Sequence, residues 1–165
     1  MRSYQVFAAL APEEAVRIMK VLSAESPAMF RQAVDAAAIA GKARPAYLRK
    51  QPFERRAQAV RRALSRVASN PVADELLAVY FLECRKSLLV EWLDLVGLEH
   101  EDGTLEEDAP AQPDEATLAA AVDKLRAAGG EAEDAADREL LLRAFAAQDI
   151  IDWPALEARL DAAAA

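Results

Sequence analysis

Residues 71–96, PVADELLAVYFLECRKSLLVEWLDLV, decide the fold, because they form the longest stretch of this chain with apolar residues on every side of a helix. Leucine, valine and aromatic residues leave little polar surface on any helical face of this stretch. A helix that is apolar all round is buried by its neighbours. We therefore expect one central helix over 71–96, about 40 Å long at roughly 1.5 Å per residue and ended by Gly97.

The composition of the whole chain favours helices over strands. Its 165 residues include 39 alanines but only two threonines and four isoleucines, so much of the β-branched material that strands prefer is absent. Apolar residues recur at helical spacing outside the central stretch too, and most prolines stand where a helix can begin. The sequence predicts an all-α fold, an irregular multi-helix bundle of six or seven helices around the long central apolar helix.

The segment between the central helix and the C-terminal helices is acidic. Residues 98–112, LEHEDGTLEEDAPAQ, show no helical periodicity and contain a glycine and a proline, which predicts a loop or linker. We expect an N-terminal helical bundle at 1–97, this linker at 98–112 and a small C-terminal helical part at 113–165. The apolar set of the last part is too small to stand alone, so it should dock on the bundle or on a second subunit.

Charge is distributed unevenly along the chain. Residues 42–66 contain nine basic residues and one acid, whereas residues 98–139 contain fourteen acids and three bases. The two segments therefore have net charges of +8 and −11, within a chain whose total is −8. The acidic loop 98–108 could fold over the basic segment and mask it.

The basic segment contains the candidate binding residues. Apolar residues from Phe53 to Val67 recur at helical spacing, and on a helix that starts at Phe53 the side chains of Arg55, Arg62 and Arg66 lie within about 40° of one another, opposite the apolar stripe. The candidate partner-binding residues are Arg55, Arg62, Arg66, Lys50 and Arg49. Guanidinium groups match carboxylate and phosphate geometry, so a protein partner and a phosphate or nucleic acid are both candidates. A merely solvated basic face is the plain alternative.

Carboxylates on the central helix are the main candidates for catalysis. Glu83, Glu91 and Asp94 would lie along one side of a continuous helix, where paired acids could perform acid–base chemistry. The single histidine, His100, stands beyond Gly97, which excludes the Glu-x-x-His pattern of di-iron bundles. We expect these acids to pair with arginines such as those of residues 55–62. No catalytic residue, metal site or cofactor is predicted.

Cysteine usage and hydropathy bear on location. The one cysteine, Cys84, excludes an internal disulfide, and we expect it to be buried. The first ten residues do not have the pattern of a secretory signal, and no apolar run approaches the roughly 20 residues of a membrane span. We expect a cytoplasmic protein with no membrane contact, in which Trp92 and Trp153 belong to the core.

These observations favour a non-enzymatic protein–protein interaction or adaptor module, with another protein or a second copy of the chain as its partner. Phosphate or nucleic-acid binding through residues 42–66 is the first alternative, and the net charge of −8 counts against it. A carboxylate-based enzyme is the second alternative.

Overall fold

The structure, a computed structural model, describes residues 1–164 and is all-α, as predicted. Ten α-helices occur in these residues, more than the six or seven expected, because several are short and the central one is interrupted. None of the helices in residues 1–164 has both the length and the apolar character that crossing a bilayer requires. The helices are α1 (Ser3–Ala9), α2 (Pro12–Glu25), α3 (Pro27–Ala40), α4 (Pro45–Arg49), α5 (Phe53–Leu64), α6 (Asn70–Val79), α7 (Lys86–Val96), α8 (Glu115–Ala127), α9 (Ala132–Ala146) and α10 (Pro154–Ala164).

The expectation of one uninterrupted helix over 71–96 is wrong. α6 ends at Val79, a π-helical turn covers Tyr80–Cys84, and α7 begins only at Lys86. Between them Arg85 has φ −131° and ψ 36°, outside the helical region, and its Nε donates to the buried carboxylate of Asp137 at 2.7 Å. A break in a helix shows in the sequence as a shift of its apolar stripe from one face to another. Where apolar residues cover every face there is no such stripe, so the sequence does not reveal the break.

Packing contacts divide the chain at the same point. One unit is Arg2–Cys84, and the other is Arg85–Ala165 with Met1. This division lies before α7, whereas the sequence placed a boundary after it, at residue 97. The domain limits 1–97, 98–112 and 113–165 remain predictions, because a division of contacts does not show which parts fold alone.

In the unit Arg2–Cys84, helices α3 and α5 run side by side in the same direction. Near their starts the rings of Phe30 and Phe53 stack with centroids 5.5 Å apart. At their ends a guanidinium nitrogen of Arg66, which follows α5, donates to the carbonyl of Ala40 at 3.0 Å. The large apolar side chains most deeply buried in this unit are Phe7, Ile18, Met19, Leu22, Leu64, Leu76, Leu77 and Tyr80.

α3 ends at Ala40, and the left-handed residue is not Gly41 directly after it but the next one, Lys42. Gly41 has φ −86°, whereas Lys42 has φ 54°. The N–H of Ala43 donates to the carbonyl of Ala38 at 2.8 Å, and that of Lys42 to Ile39 at 3.0 Å, the bond pattern of a Schellman motif. The chain therefore leaves α3 through an exposed basic loop, residues 41–44.

The unit that begins at Arg85 is organised around three aromatic rings. The ring of Phe145 makes edge contacts with Trp92 and Trp153, at centroid distances of 5.7 and 5.2 Å. Both tryptophans are buried, which confirms their predicted place in the core. The indole N–H of Trp153 donates to the carbonyl of Pro110 at 2.9 Å and so holds the acidic segment against this core.

The acidic segment is not wholly irregular. Two short antiparallel strands, β1 (His100–Glu101) and β2 (Thr104–Leu105), form a hairpin. Asp102 and Gly103 between them have φ 56° and 93°, the positive values of a type I′ turn. An Asp-Gly pair is the usual sequence signal of this turn, and it stands in the sequence at 102–103.

Candidate interaction surface

α5 is the amphipathic helix that the sequence predicts, although it is shorter. Ala57, Val60 and Leu64 are buried, and the opposite side is exposed at Arg55 and Arg62. These two arginines are seven residues apart, which places them on one side of the helix about 10.5 Å apart along its axis.

Lys50 lies close to the start of this helix and is also exposed. The neighbouring Gln51 accepts a hydrogen bond from Arg55 at 3.3 Å, which links the end of α4 to the first turn of α5. Lys50, Arg55 and Arg62 are called the cationic row below. Within residues 1–164, the side chains of Lys50 and Arg62 make no hydrogen bond or ion pair, and that of Arg55 bonds to the neutral Gln51.

Arg66 does not extend this row along α5. The helix ends at Leu64, and Arg66 is extended, with φ −101° and ψ 141°. Its side chain instead donates to the carbonyl of Ala40 in the last turn of α3, where backbone carbonyls have no helical partner. The predicted alignment of Arg66 with Arg55 and Arg62 is therefore wrong.

Arg49 is engaged by an acid. Its guanidinium forms two hydrogen bonds with the carboxylate of Asp35 on α3, one of them at 2.7 Å from Nε to Oδ1. The side-chain hydrogen bond from Arg49, with its positive charge, holds the pKa of Asp35 below its ordinary value, against the opposing effect of burial. Arg49 therefore joins α4 to α3 and brings little net positive charge to the surface.

Two further arginines of the basic segment hold helices together. The guanidinium of Arg56 lies 5.3 Å from the ring centroid of Phe30 and 5.5 Å from that of Phe53, a cation–π arrangement between α5 and α3. Arg61 donates from Nε to the carbonyl of Leu10 at 2.7 Å, at the end of α1. Sequence periodicity gives no signal for either role, because both depend on neighbouring helices.

Exposed apolar side chains lie within and beside the basic segment. Ile39, Tyr47 and Val67 have 70%, 59% and 69% of their surface exposed, the highest values among the large apolar residues that the structure describes. Val67 directly follows Arg66 and Ile39 directly precedes Ala40. The hydrogen bond between Arg66 and Ala40 therefore places Ile39 and Val67 at the same end of the α3–α5 pair.

The acids of the predicted central helix, residues 71–96, do not share one helical register. The break at Arg85 separates the register of Glu83 from that of Glu91 and Asp94. A guanidinium nitrogen of Arg138 on α9 lies 3.0 Å from the carboxylate of Glu91, so its partner is an arginine, as expected, but not one of residues 55–62. Nε2 of His100 lies 3.2 Å from the carboxylate of Asp94.

An open groove of about 500 Å³ lies beside these acids. It is lined by Ser87, Val90, Glu91, Asp94, Leu95 and Lys124. The other ring nitrogen of His100, Nδ1, accepts the backbone N–H of Gly103 at 3.3 Å, so this ring is engaged at both nitrogens. In residues 1–164 no three histidine, cysteine or acidic side chains are grouped so that they could hold a metal ion.

Arg138 has a structural environment. It is only 8% exposed, and it donates to Asp134 at 3.1 Å and to the carbonyl of Leu125 at 3.1 Å, besides its bond to Glu91. Burial opposes the charge of Arg138, but the hydrogen bonds to the two acids outweigh burial and raise its pKa above the ordinary value. Arg138 thereby connects α7, α8 and α9.

No protein-family model, curated protein or solved structure matches this chain. The surfaces of the chain itself are therefore the basis for assigning a function.

Proposed function

We propose that the protein is a non-enzymatic helical interaction module that binds an acidic protein partner through the cationic row. One observation carries this proposal. Arg49, Arg56, Arg61 and Arg66 each contact a group in a neighbouring helix or turn. Lys50, Arg55 and Arg62 are exposed and form no ion pair with an acid in the described residues.

The spacing of the row suits a helical partner. Arg55 and Arg62 stand two turns apart on one side of α5. Carboxylates seven residues apart on a second helix have the same separation, about 10.5 Å, so both guanidinium groups can pair at once. Lys50 extends the positive field beyond the first turn of α5 and supports the approach of an acidic molecule.

A protein partner fits this surface better than a nucleic acid. The chain has a net charge of −8, which repels a polyanion at long range. Exposed Tyr47 lies within the basic segment, and exposed Ile39 and Val67 stand at its two ends in sequence. Such side chains can bury apolar groups of a protein but contribute little to binding a phosphate backbone. Binding of nucleic acid is therefore the alternative that the test described below distinguishes.

The carboxylate-based enzyme gains no support from the geometry of α7. Glu91 is paired with Arg138, and Asp94 is in contact with His100. A carboxylate that acts as a general base must reach a substrate proton, and an existing ion pair competes with that contact. The groove beside the two acids is open to solvent, so it does not provide the water-excluded surroundings that strengthen such chemistry.

The cationic row alone would give weak binding. An exposed ion pair contributes about 0.2–1 kcal/mol. Micromolar affinity requires roughly 8 kcal/mol. Two or three such pairs therefore fall far short, and contacts other than charge must supply most of the affinity for the natural partner.

The test is a titration of the full-length protein with two labelled anions at low and at high salt, followed by fluorescence anisotropy. One is an alanine-based helical peptide of about 20 residues with glutamates seven apart, a length at which such helices form. The other is a short DNA duplex. The proposal predicts peptide binding in roughly the millimolar range, as expected for a few exposed ion pairs, that weakens with salt, and little DNA binding. Tighter binding of DNA would favour the nucleic-acid alternative, and binding of neither would overturn the proposal.

Light scattering on the free protein at the same concentrations tests self-association. If the chain is monomeric there, the partner is a different protein. A salt-sensitive oligomer would mean that the acidic residues of a second copy occupy the cationic row.

A further inference from the structure

We infer that the acidic partner is an amphipathic helix, and that Ile39 and Val67 receive its apolar residues at the end of the α3–α5 pair. This inference rests on the proposed function and specifies the partner. We call Ile39 and Val67 the apolar end. The juxtaposition of this end with the cationic row carries the inference.

The apolar end lies close to the C-terminal end of the row, beyond Arg62. Arg62 lies in the last turn of α5, and Arg66 and Val67 follow directly after the helix. The hydrogen bond from Arg66 to Ala40 holds Val67 at the end of α3, where Ile39 is also found. A helix that lies along α5 with its carboxylates on Arg55 and Arg62 therefore reaches the apolar end within about one to two further turns.

Both residues of the apolar end are unusually open to solvent. Single exposed apolar side chains are common in soluble proteins and need no explanation. Here two β-branched residues are each about 70% exposed, one in α3 and the other just after α5, and a hydrogen bond between their neighbours holds them at one place. An apolar surface with a polar rim is a feature of protein-binding sites.

Charges around the apolar end identify the occupant as acidic. Lys42 and Arg44 lie in the exposed loop that follows Ile39, and neither side chain has a hydrogen bond or ion pair among the described residues. A purely apolar partner would leave these cations without partners, and a basic partner would be repelled. A helix with acids beside its apolar residues satisfies both the apolar end and its cationic rim.

The test compares two peptides in the same anisotropy titration. The first is the glutamate-row peptide described above, and the second has leucines one to two turns beyond one of its glutamates. The leucine peptide should bind wild-type protein at least about tenfold more tightly, as expected for burying one apolar side chain. A double variant, Ile39→Ser with Val67→Ser, should lose this gain but bind the glutamate-row peptide as wild type does.

The outcomes separate this inference from the proposed function. In one contrary result the glutamate-row peptide binds while the leucines leave the affinity unchanged, and in another the affinity that they add persists in the double variant. Either result shows that the leucines do not bind at the apolar end, and the proposed role of the cationic row is unaffected. If neither peptide binds, the proposed function is overturned. Both side chains are exposed, so the double variant should fold, and its circular dichroism and urea midpoint verify that.

Discussion

The side chain of Arg66 donates a 3.0 Å hydrogen bond to the backbone carbonyl of Ala40, which joins the residue after α5 to the last turn of α3. Arg62, one turn earlier, makes no such bond in the described part of the chain. Two arginines that are equivalent in sequence therefore have different roles, one in holding the fold and one at the surface.

This difference predicts unequal costs of substitution. Arg66→Gln should lower the free energy of unfolding by about 1 kcal/mol, because a carbonyl at the end of a helix loses its donor. Arg62→Gln should change it by less than about 0.5 kcal/mol. Urea denaturation of both variants measures this, and equal losses would show that the bond of Arg66 to Ala40 does not contribute to stability.

The two buried tryptophans should respond differently to replacement by phenylalanine. The indole N–H of Trp153 bonds to the carbonyl of Pro110, whereas the buried indole nitrogen of Trp92 has no hydrogen-bond partner in residues 1–164. Trp153→Phe removes a bond and leaves a carbonyl without its donor, but Trp92→Phe removes only an unpaired donor. Trp153→Phe should therefore cost about 1–2 kcal/mol more in unfolding free energy. A larger loss for Trp92→Phe would contradict this account.

Arg138 and Arg126 each form ion pairs with acids, but they differ in burial. Arg138 is almost fully buried, whereas Arg126 and its partner Glu139 are both partly exposed. Arg138→Met should lower the unfolding free energy by about 2–4 kcal/mol, because it leaves a backbone carbonyl and two acids without their donor. Arg126→Met should cost less than about 1 kcal/mol. Chemical denaturation of both variants checks the ranking, and similar losses would argue against a buried network.

The pair of Asp35 and Arg49 should make stability depend on pH in the acid range. The hydrogen bond from Arg49 holds the pKa of Asp35 below its ordinary value of 3.8 in the folded protein. Folding therefore favours the carboxylate. Its contribution is fully present above the unfolded pKa, and it is lost as the pH falls below about 4 and through the lowered folded pKa.

The measurement uses Asp35→Asn beside wild type. The difference in urea midpoint between the two proteins should be largest near about pH 7 and should shrink as the pH falls below about 4, because the unfolded state then takes up a proton that the folded state resists. A difference that stays constant over this range would show that the charge of Asp35 is not what stabilises the pair.

Local periodicity explains which parts of the structure the sequence could predict. The apolar stripe of α5 and the burial of Trp92 and Trp153 follow from patterns that a single helix or side chain carries with it. The type I′ turn at Asp102–Gly103 also had a signal in its Asp-Gly pair, but the acidity around it favoured a plain loop.

Other features depend on contacts that no local pattern encodes. The break at Arg85 lies in a stretch that is apolar on every face, so no shift of an apolar stripe marks it. The ion pair of Arg85 with Asp137 joins residues that are far apart in the sequence. The bond of Arg138 to Glu91 is of the same kind. At the candidate site, Arg55 and Arg62 could be predicted because they share one helix, but the departure of Arg66 could not.

The most direct test of the cationic row neutralises two of its charges. A control variant loses the same number of positive charges elsewhere on the surface. Arg55→Gln with Arg62→Gln is compared with Lys20→Gln and Lys124→Gln, two exposed cations outside the row. With the glutamate-row peptide at low salt, the arginine variant should bind about five- to tenfold more weakly than wild type and show a smaller dependence on salt, whereas the lysine variant should bind as wild type does. Equal weakening in both variants would mean that only the overall charge matters, and it would contradict a binding site at Arg55 and Arg62.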